Sequence, residues 1–355
     1  MNIDNLYAVI VAGGRGKRFW PLSREARPKQ LIALDGNATF LRKTIDRILP
    51  LVPAERIYII TAESHSAPIF EVAPDIPREN VIVEPVGKNT APAIALPAAI
   101  LKELNPDAVM AVFPADHVIG KEDIFIADIK RAVEIATNKN LMLTFGAKPN
   151  KPETGYGYIE LGDKIEGSVY RVASFKEKPN RKKATFFLDS GRYLWNCGMF
   201  VFGADLFLQK VKECLPDLNA SLEKYMDGEK NVSRLKEFYD SVESISIDHG
   251  VMEKSSNSLG VMAASFTWND IGSWSAVDDI WEADDSGNRK IGCEVVSIAS
   301  QSNTCYSKKL VALLGVEDLI IVETDDALLV CHKHRSQEIK YLVDEIDRLG
   351  YKEYL

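Results

Sequence analysis

The chain has 355 residues, of which 46% are hydrophobic and 26% charged, a globular composition at a length that predicts two or three domains. The formal net charge of -8 excludes a protein whose whole surface binds nucleic acid or an anionic membrane, because such binding needs a basic field. Neither a nucleic acid nor a membrane is therefore an expected partner.

Short apolar runs alternate with segments of helical period through the first 150 residues. The predicted strands are Tyr7–Val11, Ile57–Thr61, Val81–Glu84, Val109–Pro114 and Leu141–Phe145. Their nearly continuous apolar character is typical of strands buried on both faces. Helices are predicted after the N-cap Thr39, from Asn89 or Thr90 to Leu104, and from Asp123 to Asn138. This alternation predicts an α/β fold with a mainly parallel sheet that binds ligands at the carboxyl ends of its strands.

The pattern becomes mixed after residue 150, and we place a domain boundary in the polar turn cluster 284–288. The predicted domains are 1–284 and 285–355. Before the boundary we expect strands at Gly155–Leu161, Tyr170–Lys176 and Tyr193–Phe202, and a helix at Asn180–Ser190. Beyond it we expect strands at Leu310–Leu314, Leu319–Glu323 and Ala327–Cys331. A last helix begins near Ser336, and its predicted apolar face consists of Ile339, Leu342, Val343, Ile346 and Leu349.

The cysteines and the apolar runs bear on the location of the protein. The five cysteines are odd in number and far apart, which favours buried reduced thiols over a zinc site or disulfides. The N-terminal residues lack the pattern of a signal peptide. The longest apolar run, Ala91–Leu101, carries two prolines and is too short to span a bilayer. We expect a cytoplasmic protein.

A glycine-rich loop follows the first strand and offers backbone N–H groups to a ligand. Its glycines are Gly13, Gly14 and Gly16. A dinucleotide fingerprint is excluded because Phe19 stands where its last glycine belongs. Asp35 lies at about the sequence distance at which that fingerprint has its ribose-binding acid, but without the glycine this spacing is a coincidence. A Walker loop is excluded because Arg18, not Ser or Thr, follows the Gly-Lys pair.

Positive charge is concentrated in the same loop. Between Arg15 and Lys29 there are six basic residues and one acidic residue, Glu25, so this segment carries +5 and the rest of the chain -13. Amides together with Arg18 and Lys29 suit a polyphosphate on which negative charge develops. The alternative is a connecting turn whose arginines pair with surface carboxylates. The charge concentration favours the phosphate site.

The loop sequence GGRGKRFWPLS…PKQ resembles the signature of the sugar-1-phosphate nucleotidylyltransferases, and its WPLSR form is most similar to the mannose-1-phosphate guanylyltransferases. Seven further blocks resemble the family in the same order. They lie at 84–98, 114–117, 153–160, 175–179, 195–202, 247–255 and 266–274. The resemblance covers residues 6–280, and eight matches in register are far more specific than any one of them.

The resemblance implies an enzyme that transfers GMP from GTP to α-D-mannose 1-phosphate with Mg²⁺, giving GDP-mannose and pyrophosphate. It implies a Rossmann-like nucleotidyltransferase domain, then a short left-handed β-helix that ends in a helix and serves in a homodimer. The last 70 or so residues are too few for the fused phosphomannose isomerase domain of longer family members, so guanylyltransferase activity alone is expected. The same fold with dTTP or UTP and glucose 1-phosphate remains an alternative, as does a non-catalytic relative.

Two aspartates are the candidate metal ligands. Asp116 follows an apolar strand and Asp270 lies among aromatic residues. Mg²⁺ typically takes one or two carboxylates with phosphate oxygens and waters. By pattern alone each could be a turn or cap residue. The resemblance implies that both bind the metal and that Asp116 is catalytic, together with Arg18 and Lys29. His117 is predicted to be held by the backbone and not to be a ligand.

The resemblance also divides the remaining site residues between the two substrates. The implied nucleotide-binding residues are Gly13, Gly14, Gly16, Pro85, Asn89 and Thr90. The implied sugar-phosphate-binding residues are Gly157, Glu177, Lys178 and Asn196. By pattern alone, Asn89 is equally a helix N-cap and the Glu177–Lys178 pair a solvated surface pair.

Overall fold

Strand–helix alternation builds the first part of the fold, as predicted. The structure is a computed structural model that describes residues 4–34 and 36–355; the interpretation of Asp35 lies outside the described residues. The strands of this part are β1 (Leu6–Ala12), β2 (Ile57–Ala62), β3 (Val81–Glu84), β4 (Val109–Pro114), β5 (Val118–Gly120) and β6 (Met142–Ala147). The helices are α1 (Phe40–Ile48), α2 (Glu63–Val72), α3 (Thr90–Leu104) and α4 (Glu122–Lys139). Thr39 caps α1, since its side chain accepts a hydrogen bond from the Arg42 N–H.

The next part adds strands and a group of helices. The strands are β7 (Tyr158–Glu166), β8 (Val169–Lys176), β9 (Tyr193–Gly203), β10 (Leu259–Ala263) and β11 (Thr267–Asn269). The helices are α5 (Arg181–Ser190), α6 (Ala204–Cys214), α7 (Pro216–Met226), α8 (Val232–Ser241) and α9 (Ile247–Gly250). The predicted strand start at Gly155 is wrong. The Glu153 carboxylate accepts hydrogen bonds from the N–H groups of Thr154 and Gly155, which makes a turn there, and the strand begins at Tyr158.

Nine strands form one sheet in the order β3-β2-β1-β4-β9-β6-β10-β8-β7. The first four are parallel, as predicted. Strands β9 and β8 are antiparallel to their neighbours, so the whole sheet is mixed. The N-terminal part of β9 also pairs with β7, and this pairing closes β9, β6, β10, β8 and β7 into a ring. A separate pair, β5 with β11, lies beside the sheet.

Alternate residues of β1 enter the cores on opposite faces of the sheet. Ala8 and Ile10 pack in a cluster with Ile45 of α1, whereas Val9 packs in a cluster with Ile94 of α3. Burial on both faces explains why these strands are apolar throughout. The carboxyl ends of β1 and β4 therefore lie at one edge of a sheet covered by helices, where α/β folds bind ligands.

The C-terminal part is a β-helix followed by a helix, as predicted. Its elements are β12 (Arg289–Ile291), β13 (Val295–Ile298), β14 (Thr304–Tyr306), β15 (Val311–Leu314), β16 (Leu319–Glu323), β17 (Leu328–His332) and α10 (Ile339–Arg348). Strands β12, β14 and β16 pair in parallel, as do β13 and β15, and β17 pairs antiparallel to β16. The domain limits 1–284 and 285–355 and the handedness of the β-helix stay predictions.

The last helix differs from its predicted form. A 3-10 helix, Lys333–Glu338, precedes it. Ile339 and Val343 are buried as predicted and Ile346 packs partly buried in the same cluster, but Leu342 and Leu349 are exposed, so only part of the predicted five-residue apolar face is buried. The helix has a narrow buried strip because it packs on one side only, in a cluster that contains Phe19. This packing places α10 beside the glycine-rich loop.

The cysteines are all free thiols. Cys197 and Cys305 are buried, as predicted, but the other three are half-buried. Over the described residues, no helix has both the length and the apolar character that crossing a membrane requires.

Candidate active site

The glycine-rich loop leaves β1 at the ligand-binding edge of the sheet. Gly14 and Gly16 have φ of 94° and 63°, a region that side chains other than glycine rarely adopt. A Cβ on Gly16 would lie 2.5 Å from Cβ of Lys29, so glycine is also required there for space. The loop is held by Ser23, whose hydroxyl donates to the Gly16 carbonyl at 2.8 Å. The conformation of the loop and the position of Lys29 are thus coupled.

Lys29 is the buried cation of the site. Its side chain is almost inaccessible, and Nζ donates to Oδ2 of Asp116 at 2.8 Å and to the main-chain carbonyl of Asp270 at 2.6 Å. Nζ also lies 5.6 Å from the ring centroids of Phe19 and Phe40. Lys29 therefore joins the loop to both candidate metal ligands.

Three of the other cations of the loop are paired with carboxylates of the protein. Arg15 pairs with Glu25, and Arg24 pairs with Asp326 of the β-helix. Lys17 pairs with Asp344 of α10 at 2.6 Å. Arg15 and Lys17 make surface pairs of the kind expected for a connecting turn, whereas Arg24 is mostly buried in its contact with the β-helix. All three charges are compensated within the protein, so the +5 charge overstates what the loop can offer a ligand.

Arg18 is different from its neighbours. Its Nε is buried and has no hydrogen-bond partner within the described part of the chain. The residue lines two adjoining cavities of about 360 and 250 Å³, together with Asp270 and Gly272. A buried donor without a partner costs free energy, and an anion in either cavity would satisfy it.

The β5–β11 pairing brings the two aspartates together. Asn269 is paired with Val118, which places Asp270 beside the end of β4, where Asp116 lies. Oδ1 of Asp270 accepts hydrogen bonds from the Tyr156 hydroxyl at 2.6 Å and the Gly272 N–H at 3.0 Å. Burial and the Asp270 charge raise the pKa of Tyr156, so its hydroxyl stays protonated and can donate.

The carboxyl group of Asp116 remains ionised. Burial by itself would raise the pKa of Asp116, but electrostatic and hydrogen-bonding contacts, of which the charge of Lys29 is the largest, outweigh that effect and lower it below the usual value. His117 accepts a hydrogen bond from the Trp268 indole N–H at 3.1 Å through Nδ1, so a side chain, not the backbone, holds it. Burial lowers the pKa of His117, which favours the neutral ring.

The two aspartates fit a hard divalent cation. Each uses one carboxylate oxygen on protein donors, and both line the 360 Å³ cavity. The other oxygen of each, Oδ1 of Asp116 and Oδ2 of Asp270, makes no hydrogen bond within residues 4–34 and 36–355. Over the same residues, no group of three or more His, Cys, Asp or Glu side chains could hold a metal. Two carboxylates with open oxygens suit Mg²⁺, which keeps waters and takes phosphate oxygens.

The predicted sugar-binding residues form a second, connected group. The Asn196 side chain accepts from the Thr144 hydroxyl at 3.0 Å and donates to Oδ1 of Asp248 at 2.9 Å. A Cβ on Gly157 would lie 2.6 Å from Oε2 of Glu177, so glycine permits this carboxylate to approach the backbone. Asn196 N–H donates to the Gly157 carbonyl at 2.8 Å.

Lys178 links the sugar-binding group to the cavities. It pairs with Glu177 at 2.8 Å, and its side chain is largely exposed. Its N–H donates to the Tyr156 carbonyl, and it lines the 250 Å³ cavity with Arg18. The two groups of predicted residues therefore meet at Tyr156.

Asp248 was missed by sequence reasoning. It lies in a block that resembles the family, but its position in the first turn of α9 is common for aspartate in any helix. In the structure it is bound to Asn196. Burial and the charge of Glu177 raise its pKa from 3.8 to about 6. The raised pKa and the contact with Asn196 are the signals that identify it.

We expect Asp248→Asn to increase stability at high pH. A carboxyl group whose pKa is raised on folding stabilises the protein below the unfolded pKa, near 4, and this contribution is lost as the pH rises through about 6. The amide carries no charge and its oxygen can still accept from Asn196. Since Asp248 is half-buried, we expect the variant to be more stable by about 1–2 kcal/mol at pH 8 and little changed at pH 4.

Thermal unfolding at pH 4 and pH 8 measures this effect. Asp189→Asn, an exposed aspartate of α5, is the matched control and should shift stability by less than about 0.5 kcal/mol. Equal stabilisation by Asp248→Asn at both pH values would contradict the assignment of the raised pKa.

Three of the predicted nucleotide-binding residues, Pro85, Asn89 and Thr90, are placed differently from the rest. Asn89, with φ of 67°, caps α3 through a hydrogen bond from the Thr90 N–H to its side chain. The Thr90 hydroxyl accepts from the Ile247 N–H at 2.8 Å. Within the described residues, Pro85, Asn89 and Thr90 do not line the two cavities that contain Arg18. Their place is at the start of α3, next to the segment that carries Asp248.

Glu84 is a further buried carboxyl group near this helix start. Burial raises its pKa to about 7. One of its oxygens has no hydrogen-bond partner within the described chain. Burial, followed by the charge of Glu84, raises the pKa of the Tyr239 hydroxyl of α8. Sequence reasoning treated Glu84 as the last residue of a strand.

Two family models match the chain. The model described as "Nucleotidyl transferase" matches residues 7–287, and the one described as "MannoseP isomerase/GMP-like beta-helix domain" matches residues 293–346.

Similar proteins cover nearly the whole chain. Mannose-1-phosphate guanylyltransferase RfbM of Salmonella typhimurium is 40% identical over 98% of this chain and 73% of its own length. Mannose-1-phosphate guanylyltransferase of Escherichia coli K12 is 39% identical over 99% of this chain and 75% of its own length. The crystal structure described as mannose-1-phosphate geranyltransferase from Thermus thermophilus is 34% identical, with a TM-score of 0.88 over 97% of this chain and 99% of that one.

Proposed function

The chain belongs to the mannose-1-phosphate guanylyltransferase family of nucleotidyltransferases, and we propose that it transfers GMP from GTP to α-D-mannose 1-phosphate, releasing pyrophosphate. The observation that carries the proposal is the convergence of the glycine-rich loop, Lys29 and two aspartates on one cavity. Such a site neutralises and orients phosphate groups. The cytoplasmic location expected from the sequence stays a prediction.

The reaction is an in-line displacement at the α-phosphorus. A phosphate oxygen of the sugar phosphate forms the new P–O bond while the bond to the β-phosphate oxygen breaks, and pyrophosphate leaves with the electron pair. No covalent intermediate with the protein is needed. The protein therefore contributes position and charge, which account for most of the catalysis in phosphoryl-type transfer.

The glycine-rich loop and its cations hold the leaving group. Backbone N–H groups at Gly13, Gly14 and Gly16 face the β- and γ-phosphates, and Arg18 donates to them from a buried position. Lys29 is almost fully buried and acts beside them. Charge that develops on the pyrophosphate is stabilised most effectively by donors fixed before the reaction.

Asp116 and Asp270 would hold Mg²⁺ through their open carboxylate oxygens. The ion, when bound, acts as a Lewis acid on phosphate oxygens and as a template for both substrates. Lys29 keeps Asp116 ionised, and Tyr156 with Gly272 orients Asp270.

The sugar phosphate lies on the Tyr156 side of the cavities. Glu177 accepts hydrogen bonds from hexose hydroxyls, and the amide of Asn196 can accept from them or donate to them. Gly157 lets the ring approach the backbone. Lys178 binds the 1-phosphate and reduces its repulsion from the nucleotide. Asp248 joins this group through Asn196.

The base lies at the start of α3, at Pro85, Asn89 and Thr90. Since Asn89 and Thr90 make hydrogen bonds within the protein, their part in base recognition is to shape the loop. The same fold with dTTP or UTP and glucose 1-phosphate is the second candidate, because the fold by itself does not determine which base and sugar the site binds.

A homodimer through the β-helix is part of the proposal. Val296 and Ile298 of β13 and Leu314 of β15 are exposed, and Ile298 is paired with Leu314. Their side chains make an apolar face that a second copy could cover. Light scattering on the purified protein measures the mass directly.

Pyrophosphate release tests the activity. Five nucleoside triphosphates are each combined with mannose, glucose and fucose 1-phosphates, with Mg²⁺ present. The fastest turnover is expected for GTP with mannose 1-phosphate. Turnover of another pair without this one would overturn the substrate assignment and leave the reaction class intact.

Arg18→Ala is expected to lower kcat by about 10²-fold or more, the usual loss for one preorganised donor to developing charge. Arg15→Ala is the matched control. It removes an arginine of the same loop that pairs with Glu25 on the surface, and its kcat should stay near that of the wild type. Initial rates at saturating GTP measure both variants. Equal rates for the two variants would refute the role of Arg18.

A further inference from the structure

We propose that Lys340, on helix α10 of the C-terminal domain, is a further binding residue of the active site, where its ammonium group binds the polyphosphate of the nucleoside triphosphate. This inference rests on the proposed function and extends it: a residue outside the nucleotidyltransferase domain completes the substrate site. Sequence reasoning assigned no role to it.

Lys340 lies at the cavity of the candidate active site. It lines the 360 Å³ cavity whose wall also contains Arg18, Lys29, Asp116 and Asp270. All of these other residues precede the β-helix in the sequence. The C-terminal domain therefore contributes to the wall of the cavity, and the residue that it contributes carries a positive charge.

Helix α10 is held firmly against the site. Ile339 and Val343, which flank Lys340 on the helix, are buried in the cluster that contains Phe19 and Trp274. The residues at 337, 340 and 344 are spaced three and four apart, so they lie on one face of the chain as it enters and follows α10.

The partners of this face are parts of the active site. Gln337 donates to the Ser273 hydroxyl at 3.2 Å, and Asp344 pairs with Lys17 of the glycine-rich loop at 2.6 Å. Lys340 lies between these two fixed contacts. The buried residues Ile339 and Val343 hold the backbone of Lys340 at the cavity wall, which reduces the entropy cost of binding an anion there.

Some of the cations in the cavity wall are paired with carboxylates and others are not. Lys17 is paired with Asp344, and Lys29 with Asp116. Lys340 makes no ion pair or hydrogen bond through its side chain with any other described residue, and its Nζ lies 4.7 Å from the ring centroid of Tyr341. Arg18 also lacks a partner for its buried Nε. Two uncompensated cations from different domains face one cavity, and a polyphosphate is the anion that the proposed reaction brings there.

The test compares Lys340→Ala with Lys340→Arg and with Lys352→Ala. Lys352 is an exposed lysine just beyond α10, so its replacement changes the net charge equally at a place outside the cavity. Two quantities are measured: the affinity for sodium tripolyphosphate without metal, by calorimetry, and the KM values of both substrates with Mg²⁺. Thermal unfolding of each variant controls for folding.

We expect Lys340→Ala to weaken tripolyphosphate binding and raise the KM of GTP by about 10-fold each, since one charged contact is worth about that factor. The KM of mannose 1-phosphate should change less than about 2-fold, and Lys340→Arg should recover most of the loss. Lys352→Ala should match the wild type.

Equal tripolyphosphate affinities for Lys340→Ala and Lys352→Ala would overturn the inference. The same is true if both substrates lose affinity equally, which indicates a general structural effect. A wild type that uses a different triphosphate and sugar would overturn the substrate assignment instead, and the Lys340 comparison would then be decided with that triphosphate.

Discussion

Lys29→Met is expected to lower kcat by about 10³-fold, at the upper end of the range for loss of one preorganised charge. Methionine keeps the length and the apolar stem of lysine but removes the cation. Three contacts depend on Nζ: the carboxylate of Asp116, the main-chain carbonyl of Asp270 and the adjacent aromatic rings. The variant therefore loses both the positive charge near the leaving group and the contacts that position the two aspartates.

The same substitution should also destabilise the fold. Asp116 would lose its cation in a site where burial already opposes ionisation, and breaking such a pair is more costly than losing an exposed one. Asp116 is partly open to the cavity, so we expect about 1–3 kcal/mol in the free energy of unfolding.

Lys102→Met is the matched control for Lys29→Met. Lys102 also pairs with an aspartate, Asp205, but both side chains are nearly half exposed, and such pairs contribute about 0–1 kcal/mol. We expect wild-type kcat and a small change in unfolding. Single-turnover rates and urea unfolding measure both variants. A kcat within 10-fold of the wild type in Lys29→Met would contradict the catalytic role of this lysine.

Local pattern was sufficient for much of the fold. The strands Val81–Glu84 and Val109–Pro114 have the predicted bounds, because buried parallel strands are apolar throughout and end at polar or turn residues. The predicted cap Thr39 also agrees, since an N-cap is a contact between residues close in sequence. The helix predicted from Asn180 begins one residue later, and Asn180 is its N-cap.

Contacts between distant segments could not be predicted in this way. The ring closed by β9 depends on one strand pairing with both β6 and β7, and no periodicity within β9 shows that it has two partners. The ion pairs of Lys17 and Arg24 with Asp344 and Asp326 depend on where the C-terminal domain docks. For this reason the sequence correctly located a charged loop but overestimated how many of its cations face a ligand.

The residues of the site show the same division. The sequence identified Asp116 because it follows a buried strand. Its contact with Lys29 joins residues far apart in sequence, so only the structure shows it. Asp248 and Lys340 reach the site only through tertiary contacts with Asn196 and the cavity wall. Sequence alone offered no reason to select these two from the other acids and lysines of exposed helices.

Asp270→Asn is expected to lower Mg²⁺-dependent kcat by about 10³-fold while leaving the fold unchanged. The amide oxygen can still accept from the Tyr156 hydroxyl and the Gly272 N–H. Lys29 binds the main-chain carbonyl of this residue, so the substitution leaves that contact in place. What changes is the charge and the open carboxylate oxygen, which are the properties that a hard cation requires.

Asp116→Asn gives the complementary result, because here the carboxylate also compensates Lys29. We expect a similar loss of Mg²⁺-dependent kcat, and in addition a lower unfolding temperature, since a buried ammonium group loses its charged partner. Initial rates over a range of Mg²⁺ concentrations, together with thermal unfolding, separate the two aspartates. Asp189→Asn on the exposed surface of α5 should change neither quantity.

The comparison of these variants decides whether the two carboxylates share one ion. If both bind it, each variant raises the Mg²⁺ concentration needed for half-maximal rate, and the double variant loses little more than either single one, because residues that act as a unit are not additive. An unchanged Mg²⁺ requirement in Asp270→Asn would remove it from the metal site and leave it as a residue that positions Tyr156. If the loss of rate in the double variant instead equals the product of the two single losses, the two aspartates act in separate steps of binding.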